Sequence, residues 1–425
     1  MKKIWFFIYN FLFLPLLYTA LIFLRIFNSK VRRGFKGRKN LFSRFSLKAG
    51  QLDKEKKNVW FHSASMGEFE QAKPIIEQLK KESDVNLIVT FFSPSGYENS
   101  LKYPYADIVE YIPFDTPSKA EKFITLLKPD VAVFMRYDIW PNFIWKLKQF
   151  NIPLFIVDAT MRKDSKRKWI VSKNFHKHIF KLITRILCVS ENDLKNFLDF
   201  GLSEKQLKAV GDTRFDRVYM KCIEAESKKL FKDNFFQGKK ILVCGSSWES
   251  DEEVLLPAII KLNRYVDDLI TILVPHEPTE LRLEKIENEL TGKTTFLRFS
   301  YRNNYNGHKF IIIDSIGILL TLYYYADIAY VGGSFKQGIH NVLEPAVYGI
   351  PVIFGTKIQN SQEAQELANR GAGMVVRNKK EAYRKLRFLL GNNDERKKLG
   401  EISTNYVNEN IGATNKIVEE IKMFL

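Results

Sequence analysis

The chain has 425 residues, 45% of them hydrophobic, and its 66 lysines and arginines against 48 acidic residues give a formal net charge of +18. This length can bury two ordinary cores, and the charge excess favours an anionic partner such as nucleic acid, a phosphorylated ligand or an acidic lipid surface. Three widely spaced cysteines and six histidines without an HxxxH or HExxH pattern suggest no disulfide framework, and they predict no protein-bound metal and no cofactor.

The amino-terminal segment Ile4–Phe27 is almost continuously apolar and aromatic. It is long enough to cross the hydrocarbon core of a bilayer, which takes about 20 residues, and no small-residue cleavage site follows it. The positive-inside rule places the rest of the chain in the cytoplasm, because a basic run comes next: Lys30, Arg32, Arg33, Lys36, Arg38 and Lys39. Residues 1–29 are therefore predicted to be a membrane anchor. Pro15 leaves open a helix that is kinked or only dips into one leaflet.

After the basic run, short β-rich segments alternate with amphipathic stretches, which is typical of βαβ units and a parallel sheet. In the first half the predicted strands are Val59–Ala64, Leu87–Phe92, Val131–Met135, Leu154–Val157 and Ile186–Val189. In the second half they are Ile241–Gly245, Ile270–Val274, Phe310–Asp314, Ile328–Val331, Pro351–Phe354 and Met374–Val376. The pattern predicts an α/β protein with two Rossmann-like doubly wound domains, residues 30–217 and 241–425, that face a cleft and are joined by a charged linker at residues 218–240.

The first polar motif is HSASMGE at residues 62–68, which follows a predicted strand and precedes a helical run. Such a position lies at the carboxyl edge of a parallel sheet. Gly67 permits a tight turn, and Glu68 falls in the first helical turn, where the macrodipole favours a carboxylate. Glu68 is therefore either a helix-start residue or a general base within reach of an attacking hydroxyl, and the pattern alone gives both interpretations equal weight.

The second motif is RYDIWPN at residues 136–142, again after an apolar strand. Strand alternation would put Arg136 and Asp138 on one side, with Tyr137 on the other. They form either a structural ion pair, which the pattern slightly favours, or part of a catalytic site. Pro141 marks the start of the next helix.

The third motif joins VGGS at residues 331–334 to GIHNVLEP at residues 338–345. Glycines after a strand let backbone amides approach a phosphate, and Glu344 could accept hydrogen bonds from ribose hydroxyls. The alternatives are a solvated helix residue for Glu344 and a loop or core histidine for His340. Further polar loops follow other strands of this half: Gly245–Trp248, Pro275–Glu277, Asp314–Gly317 and Asn360. Together they predict a ligand-binding site at the edge of this sheet.

In the order and spacing of these motifs the sequence resembles the 3-deoxy-D-manno-octulosonic acid (Kdo) transferases, membrane-associated inverting glycosyltransferases of the GT-B type that use CMP-β-Kdo. The resemblance covers nearly the whole chain. It is carried by the hydrophobic amino terminus, Gly37-Arg38, HSASMGE, TFFSPSGY at residues 90–97, DIWPN, GDTRFD at residues 211–216 and VGGS…GIHNVLEPA…GIPVIFG.

The resemblance implies transfer of Kdo from CMP-Kdo to a lipid A precursor at the cytoplasmic face of a Gram-negative inner membrane. It implies that Glu68 accepts the proton of the acceptor hydroxyl and that Arg214 steadies charge during transfer, with Arg136 and Asp138 as further catalytic candidates. It also implies a set of residues that bind CMP-Kdo: Pro275, His276, Ile316, Gly317, Ile318, Ser334, Asn341, Val342, Leu343 and Glu344.

The sequence departs from the family pattern at three places. Arg136-Tyr137-Asp138 stands where the family usually has Glu-x-Glu, Pro275-His276-Glu277 replaces Pro-Arg-His, and Gly338-Ile339 replaces a pair of glycines. Because Arg136 reverses the usual charge, we hypothesise that it helps to position an anionic acceptor. A purely structural pair with Asp138 is the alternative.

Two other functions are compatible with parts of the pattern. A GT-B enzyme that uses a UDP-sugar and a lipid-linked acceptor would share the same architecture. A basic monotopic scaffold or nucleic-acid-binding protein would explain the charge, but its basic residues should cluster with aromatics on one platform. Here they are spread along the chain and enriched beside the apolar segment, so we expect membrane lipids as partners and no nucleic acid.

Overall fold

The computed structural model describes residues 2–425, which form two compact units: the chain up to residue 217 together with residues 411–425, and residues 218–410. Each unit is built on one seven-stranded sheet in which neighbouring strands run parallel. Every strand predicted from the sequence overlaps an observed strand. The doubly wound α/β class predicted from the alternating pattern is therefore confirmed.

The sheet of the first unit has the strand order β3-β2-β1-β4-β5-β6-β7. Its strands are β1 Lys57–Ser63, β2 Val85–Phe91, β3 Ile108–Tyr111, β4 Val131–Met135, β5 Leu154–Ala159, β6 Arg185–Cys188 and β7 Leu207–Ala209. Strands β2, β4 and β5 are buried from end to end, because helices cover both faces of the sheet. This is why they consist of continuous apolar runs.

The helices of the first unit begin with the apolar segment. They are α1 Lys2–Phe7, a π-helical turn Ile8–Phe13, α2 Leu14–Phe27, α3 Ser29–Gly37, α4 Leu41–Ala49, α5 Met66–Glu82, α6 Pro94–Ser100, α7 Pro117–Leu127, α8 Pro141–Gln149, α9 Ile170–Phe180, α10 Glu191–Leu198 and the start of α11 Thr213–Glu226, which continues into the second unit after residue 217. Short 3₁₀ turns lie at Lys166–Lys168 and Glu204–Gln206. Residues Ile4–Phe27 are long and apolar enough to cross a membrane, by length and composition alone.

The second unit has the strand order β10-β11-β9-β8-β12-β13-β14. Its strands are β8 Lys240–Ser247, β9 Leu269–Pro275, β10 Phe296–Arg298, β11 Phe310–Ile312, β12 Ile328–Val331, β13 Val352–Phe354 and β14 Gly373–Val375. Its helices are α12 Glu249–Leu262, α13 Glu280–Leu290, α14 Leu319–Tyr323, α15 Leu343–Val347, α16 Gln362–Asn369, α17 Lys379–Gly391 and α18 Asn393–Asn410, with a 3₁₀ turn at Phe299–Asn304.

The last helix, α19 Ala413–Lys422, belongs to the first unit although the sequence analysis assigned it to the second domain. Ile417, Val418 and Ile421 are buried in the core on one face of the first sheet. The carboxylate of Asp216 accepts hydrogen bonds from the backbone N–H of Gly412 and of Thr414, each at 2.7 Å. Apolar burial and this cap at the start of α19 hold the end of the chain on the first unit.

Candidate active site

Glu68 lies at the carboxyl edge of the first sheet, in the first turn of α5. Ser65 caps this helix, and the Glu68 carboxylate accepts a 3.0 Å hydrogen bond from the Ser65 backbone N–H, which completes a capping box. The side chain is buried, with 8% of the residue exposed. Glu68 is thus a helix-start residue, as one interpretation predicted, and its carboxylate is held in place at the sheet edge.

The pKa of Glu68 is raised from 4.5 to about 7. Burial is the largest cause, and the charge of Asp138 adds to it, while hydrogen bonds from the backbone of Ser65 and Ala64 and the charge of Arg136 oppose it. A carboxylate with a pKa near neutrality is a much stronger base than an ordinary glutamate and is still partly ionised at physiological pH. This pKa suits a general base.

Asp138 is held beside Glu68 by a chain of buried polar groups that starts in β1. The Nε1–H of Trp60 donates to Thr90 Oγ1 at 2.8 Å, and the same oxygen lies 2.9 Å from His62 Nδ1. On the other side of the ring, His62 Nε2 is 3.4 Å from Asp138 Oδ2, and among the described residues neither atom has a hydrogen-bond partner. The tautomer that suits this environment has the proton on Nε2, facing the carboxylate, with the Thr90 hydroxyl donating to Nδ1.

We expected Arg136 and Asp138 to share one side of a strand, and this prediction is wrong. Strand β4 ends at Met135, and Arg136 adopts a left-handed backbone conformation with φ of +61°. Alternation therefore stops before the motif begins. Among residues 2–425 no carboxylate lies within the 4.0 Å ion-pair distance of the Arg136 guanidinium, and its Nε has no hydrogen-bond partner. Its aromatic neighbour is Tyr137, whose ring centroid is 5.7 Å from the guanidinium carbon.

Arg214 lies at the start of α11 and is held by Asp212. The guanidinium donates from Nε and Nη2 to Asp212 Oδ2, at 2.9 and 2.6 Å, and the same carboxylate accepts from the Arg214 backbone N–H. Asp158, at the end of β5, is buried and bonded to the hydroxyl and backbone N–H of Thr213. Burial and the nearby charge of Asp212 raise the pKa of Asp158. This pair of carboxylates fixes the loop that presents Arg214.

At the carboxyl edge of the second sheet, three aromatic rings form a stack that sequence reasoning did not foresee. The centroids of Trp248 and His276 are 4.6 Å apart, and those of His276 and His340 are 4.4 Å apart. The Nε1–H of Trp248 donates to His340 Nε2 at 3.0 Å, so the proton of the neutral His340 ring is on Nδ1. Burial and the neighbouring His276 lower the pKa of His340, which keeps it neutral.

Asp251, in the first turn of α12, organises the glycine loop of this edge. Its buried carboxylate accepts from the backbone N–H of Gly333 at 2.8 Å, from Tyr330 Oη at 2.7 Å and from the Trp248 backbone N–H at 2.9 Å. A side chain at position 332 would clash, because its Cβ would be 2.1 Å from the carbonyl oxygen of Ser246. Only glycine allows the two loops to approach this closely.

The CMP-Kdo candidates of the sequence analysis fall into two groups at this edge. Ser334 is completely buried, and its hydroxyl accepts a hydrogen bond from the Gly355 N–H at 2.6 Å. It therefore links the loop after β12 to the loop after β13. Val342 and Leu343 are buried apolar side chains. Pro275 ends β9 and Glu344 lies in the first turn of α15, and the remaining candidates lie in the loops themselves: His276, Ile316, Gly317, Ile318 and Asn341.

Glu344 is half-buried in the first turn of α15, where Asn341 Nδ2 donates to its Oε1 at 3.2 Å. Burial raises its pKa, against the effects of this hydrogen bond and of the charge of Lys221. The departure at Gly338-Ile339 is accommodated by Asn360, whose amide bonds both the N–H and the carbonyl of Ile339 at 3.2 and 3.1 Å. The loop that carries His340 is thereby pinned to the loop after β13.

Several residues of both edges were missed because their local sequence is ordinary. Asp158 is a single acid at the end of an apolar strand, and that position was its only signal. Asp251 lies in an acidic run that resembles a solvated helix start. Thr90 contacts His62, 28 residues earlier, and Asp212 binds Arg214, two residues later. Neither contact can be predicted from the residue types alone.

The two parallel sheets with polar carboxyl edges define a GT-B-type fold, which comparison with solved structures supports. The UDP-GlcNAc 2-epimerase of Neisseria meningitidis has a similar structure, with a TM-score of 0.63 at 14% identity, covering 86% of this chain and 100% of that one. This likeness shows the fold alone.

Residues 39–217 match the family model of 3-deoxy-D-manno-octulosonic-acid transferase (kdotransferase). The chain is 28% identical to the 3-deoxy-D-manno-octulosonic acid transferase of Chlamydophila psittaci over 397 residues, which is 91% of this chain and 90% of the relative. It is also 28% identical to that of Rickettsia bellii, covering 99% of this chain and 98% of the relative. Residues 39–217 therefore match a Kdo transferase domain, and the chain is similar to Kdo transferases over most of its length.

Proposed function

We propose that the chain transfers Kdo, with inversion, from CMP-β-Kdo to the lipid A precursor lipid IVA in lipopolysaccharide biosynthesis. The observation that carries the proposal is the environment of Glu68, which is buried at a sheet edge with a pKa of about 7. The match to the Kdo transferase family model and the similarity to Kdo transferases support Kdo as the sugar. Glu68 is the general base in this proposal.

In the proposed reaction the oxygen of an acceptor hydroxyl attacks the anomeric carbon of Kdo. The proton of that hydroxyl passes to Glu68 as the new C–O bond forms, and the bond between the anomeric carbon and the CMP phosphate breaks. CMP leaves with the bonding electron pair. Attack from the face opposite the leaving group accounts for the inversion.

The groups around Glu68 have supporting roles in this scheme. Asp138, fixed by His62, raises the proton affinity of Glu68 by its negative charge. Arg136 offers donors to an anionic group of the acceptor, because no carboxylate among the described residues pairs with it. Arg214 adds a positive charge that Asp212 orients, and this charge stabilises the anion that develops during transfer.

The edge of the second sheet is proposed to bind the donor. The N–H groups of Gly332 and Gly333 already donate to the Gly245 carbonyl and to Asp251, so a phosphate at this edge would be bound by other donors of these loops. The Nδ1–H of His340 supplies a neutral donor beside them, and Glu344 accepts from the ribose hydroxyls. Because the pKa of Glu344 is raised, these hydroxyls help to keep it ionised when CMP binds.

Residues 4–27 are proposed to attach the protein to the cytoplasmic face of the inner membrane, where the lipid acceptor is found. Their length and composition support membrane attachment. The basic residues that follow α2 support an anionic lipid surface as the partner.

One assay tests the reaction. The full-length protein is incubated with CMP-Kdo generated in situ and tetraacylated lipid A precursor, and the products are identified by mass spectrometry. The expected product carries added Kdo, and Glu68→Gln should lower its formation by roughly a hundredfold or more. Absence of a Kdo adduct would disprove the proposed acceptor. Calorimetry with CMP and UDP separates the UDP-sugar alternative, since we expect CMP to bind and UDP not to compete with it.

A further inference from the structure

The apolar amino-terminal helix packs along the first unit through a single stripe of side chains. Trp5, Tyr9, Leu14, Tyr18 and Leu21 are the apolar or aromatic residues of this helix that are shielded from solvent. Their spacings are four, five, four and three residues, and the five-residue step falls in the π-helical turn. Because the π-helical turn contains an extra residue, the five side chains all face the rest of the first unit. In a regular α-helix with the same spacings, the stripe would turn away from it.

Specific contacts hold this stripe to the first unit at several points along the helix. Tyr9 Oη donates to the buried Asp115 Oδ2 at 2.7 Å, and Asn142 Nδ2 donates to Asn10 Oδ1 at 2.9 Å. The Trp5 ring lies 5.5 Å from Phe175, and the Tyr18 ring lies 5.2 Å from Phe114. At about 1.5 Å per residue, the contacts from residue 5 to residue 18 occupy about 20 Å of helix. A helix bound to a folded domain over that length cannot be surrounded by lipid there.

Basic residues accompany the helix along its length and are not confined to its ends. Lys148 lines a cavity of about 690 Å³ with Phe6, Phe7 and Phe11, near the amino-terminal end. The Nζ of Lys119 is 6.0 Å from the centroid of the Tyr18 ring, near the middle. At the far end a larger cavity of about 880 Å³ is lined by a basic group, Arg25, Arg32, Lys36, Arg38, Lys39 and Lys119. If the helix crossed a bilayer, Lys119 would lie in hydrocarbon, at a high cost in free energy.

The opposite side of the helix is a continuous apolar surface. Phe7, Phe11, Leu16, Phe23 and Phe27 are each more than 60% exposed. A helix with an apolar outer face and flanking cations is suited to lie in the interface of a membrane that contains anionic lipids.

A second apolar segment of the first unit lies next to the helix. Trp169, Ile170 and Val171 are 65%, 84% and 72% exposed, and three lysines and arginines directly precede them. Ile170 and Val171 begin α9, whose Phe175 contacts Trp5 and Tyr9 of the amino-terminal helix. The same segment reaches the catalytic loop, because Arg167 Nη2 donates to the Tyr137 carbonyl at 3.0 Å.

We propose that residues 4–27 lie in the plane of the membrane, immersed in one leaflet of an anionic bilayer, with Trp169–Val171 inserted beside them. The amino terminus and the folded units are then on the same side of the membrane, and the helix does not cross it. This arrangement rests on the membrane attachment proposed above and not on the sugar that is transferred. A failure of the transferase assay therefore leaves it unaffected.

Single-cysteine labelling of the full-length protein tests the arrangement. The three native cysteines are buried, so the wild-type protein gives the background. Lys2→Cys marks the amino terminus, and Asn28→Cys, on an exposed residue after the helix, is the matched control that both arrangements place in the cytoplasm. With a membrane-impermeant maleimide, we expect both variants to react in inverted vesicles and neither to react in intact spheroplasts. Labelling of Lys2→Cys in spheroplasts, or its protection on both sides, would overturn the proposal.

A binding assay tests the second contact and the lipid charge. Ile170→Asp should lower the partitioning of the purified protein onto phosphatidylglycerol-containing vesicles by about tenfold, because it puts a charge into the apolar interface. Leu281→Asp, on a leucine of the second unit that is 67% exposed, should leave partitioning unchanged. Vesicles of phosphatidylcholine alone should bind the wild-type protein several-fold more weakly. Equal partitioning of Ile170→Asp and Leu281→Asp, or equal binding to both lipids, would contradict the proposed surface.

Discussion

The hydroxyl of Tyr9 donates a 2.7 Å hydrogen bond to the carboxylate of Asp115, 106 residues further along the chain. Burial raises the pKa of Asp115 to about 7, and the bond from Tyr9 opposes this shift because it favours the ionised carboxylate. This contact helps to hold the amino-terminal helix to the rest of the first unit, and its strength depends on the ionisation of Asp115.

Tyr9→Phe should therefore destabilise the full-length protein by about 1–2 kcal/mol at pH 8 and by less at pH 6. At pH 8 Asp115 is ionised and loses a donor, whereas at pH 6 it is largely protonated. Thermal unfolding in detergent at the two pH values measures the difference. Tyr265→Phe, on an exposed tyrosine, is the control. Equal effects of the two variants would show that the contact contributes nothing.

Glu68→Gln should remove activity and at the same time stabilise the fold. The folded-state pKa is raised from 4.5 to about 7, so the wild-type protein loses stability relative to the glutamine variant as pH rises through this window. At pH 8 the variant should be more stable by about 2 kcal/mol, and near pH 4 the two should be equal. In the wild type, kcat/KM should rise with pH through about 7, because the base must be ionised. A variant that is less stable at pH 8 would contradict the electrostatic argument.

Arg136→Gly separates a positioning role from a structural one. The left-handed backbone at Arg136 is strained for any residue with a Cβ, so glycine should raise stability by about 0.5–1 kcal/mol. Lys128→Gly, at φ of +49°, relieves comparable strain away from the site and is the matched control. Only Arg136→Gly should reduce acceptor turnover, and CMP affinity should be unchanged in both variants. Wild-type turnover in Arg136→Gly would leave the guanidinium without a role in acceptor binding.

Trp248→Phe should weaken CMP binding about fivefold, because His340 loses the donor that fixes its tautomer while the aromatic stack is retained. The first unit offers a matched control, since Trp145 Nε1 donates to His178 Nε2 at 3.3 Å in the same manner. Trp145→Phe should leave CMP affinity unchanged when both variants are titrated by calorimetry. The same affinity in Trp248→Phe and wild type would exclude the stack from the donor site.

Asp216→Asn should release the carboxyl-terminal helix. An amide has one acceptor oxygen where the carboxylate has two, so the N–H of Gly412 or of Thr414 loses its partner. We expect a loss of about 1–3 kcal/mol and faster hydrogen exchange in residues 413–422. Glu409→Gln, on an exposed carboxylate of α18, should change neither quantity. Slow exchange of α19 in Asp216→Asn would show that apolar burial alone holds the helix.

The sequence predicted the architecture well because buried parallel strands leave a local signal. Continuous apolar runs identified β2, β4 and β5, and the strand ends then located Glu68 and Arg136. The strands missed were β3, β7 and β10, which have three or four residues and polar members. In β3 the buried Glu110 interrupts the apolar run, and its partners Arg44 and Lys48 lie more than 60 residues earlier.

The parts of the site that could not be predicted depend on contacts between distant residues or on backbone conformation. Alternation failed at Arg136 because β4 ends at Met135, as predicted, and no residue type signals the left-handed backbone conformation of the next residue. The stack of Trp248, His276 and His340 joins loops that are up to 92 residues apart. The pKa of Glu68 follows mainly from its burial, and the order of residues contains no record of burial.

The placement of α19 affects the order in which the protein can be made. Its side chains Ile417, Val418 and Ile421 are completely or almost completely buried against the core of the first unit, which includes Ile75 and Ile76 of α5. During synthesis these core residues leave the ribosome early, but the helix that covers them emerges only after residues 218–410. The unit that is translated first is therefore completed only after the whole second unit has been made, and until then its apolar surface is exposed to chaperones or to the membrane.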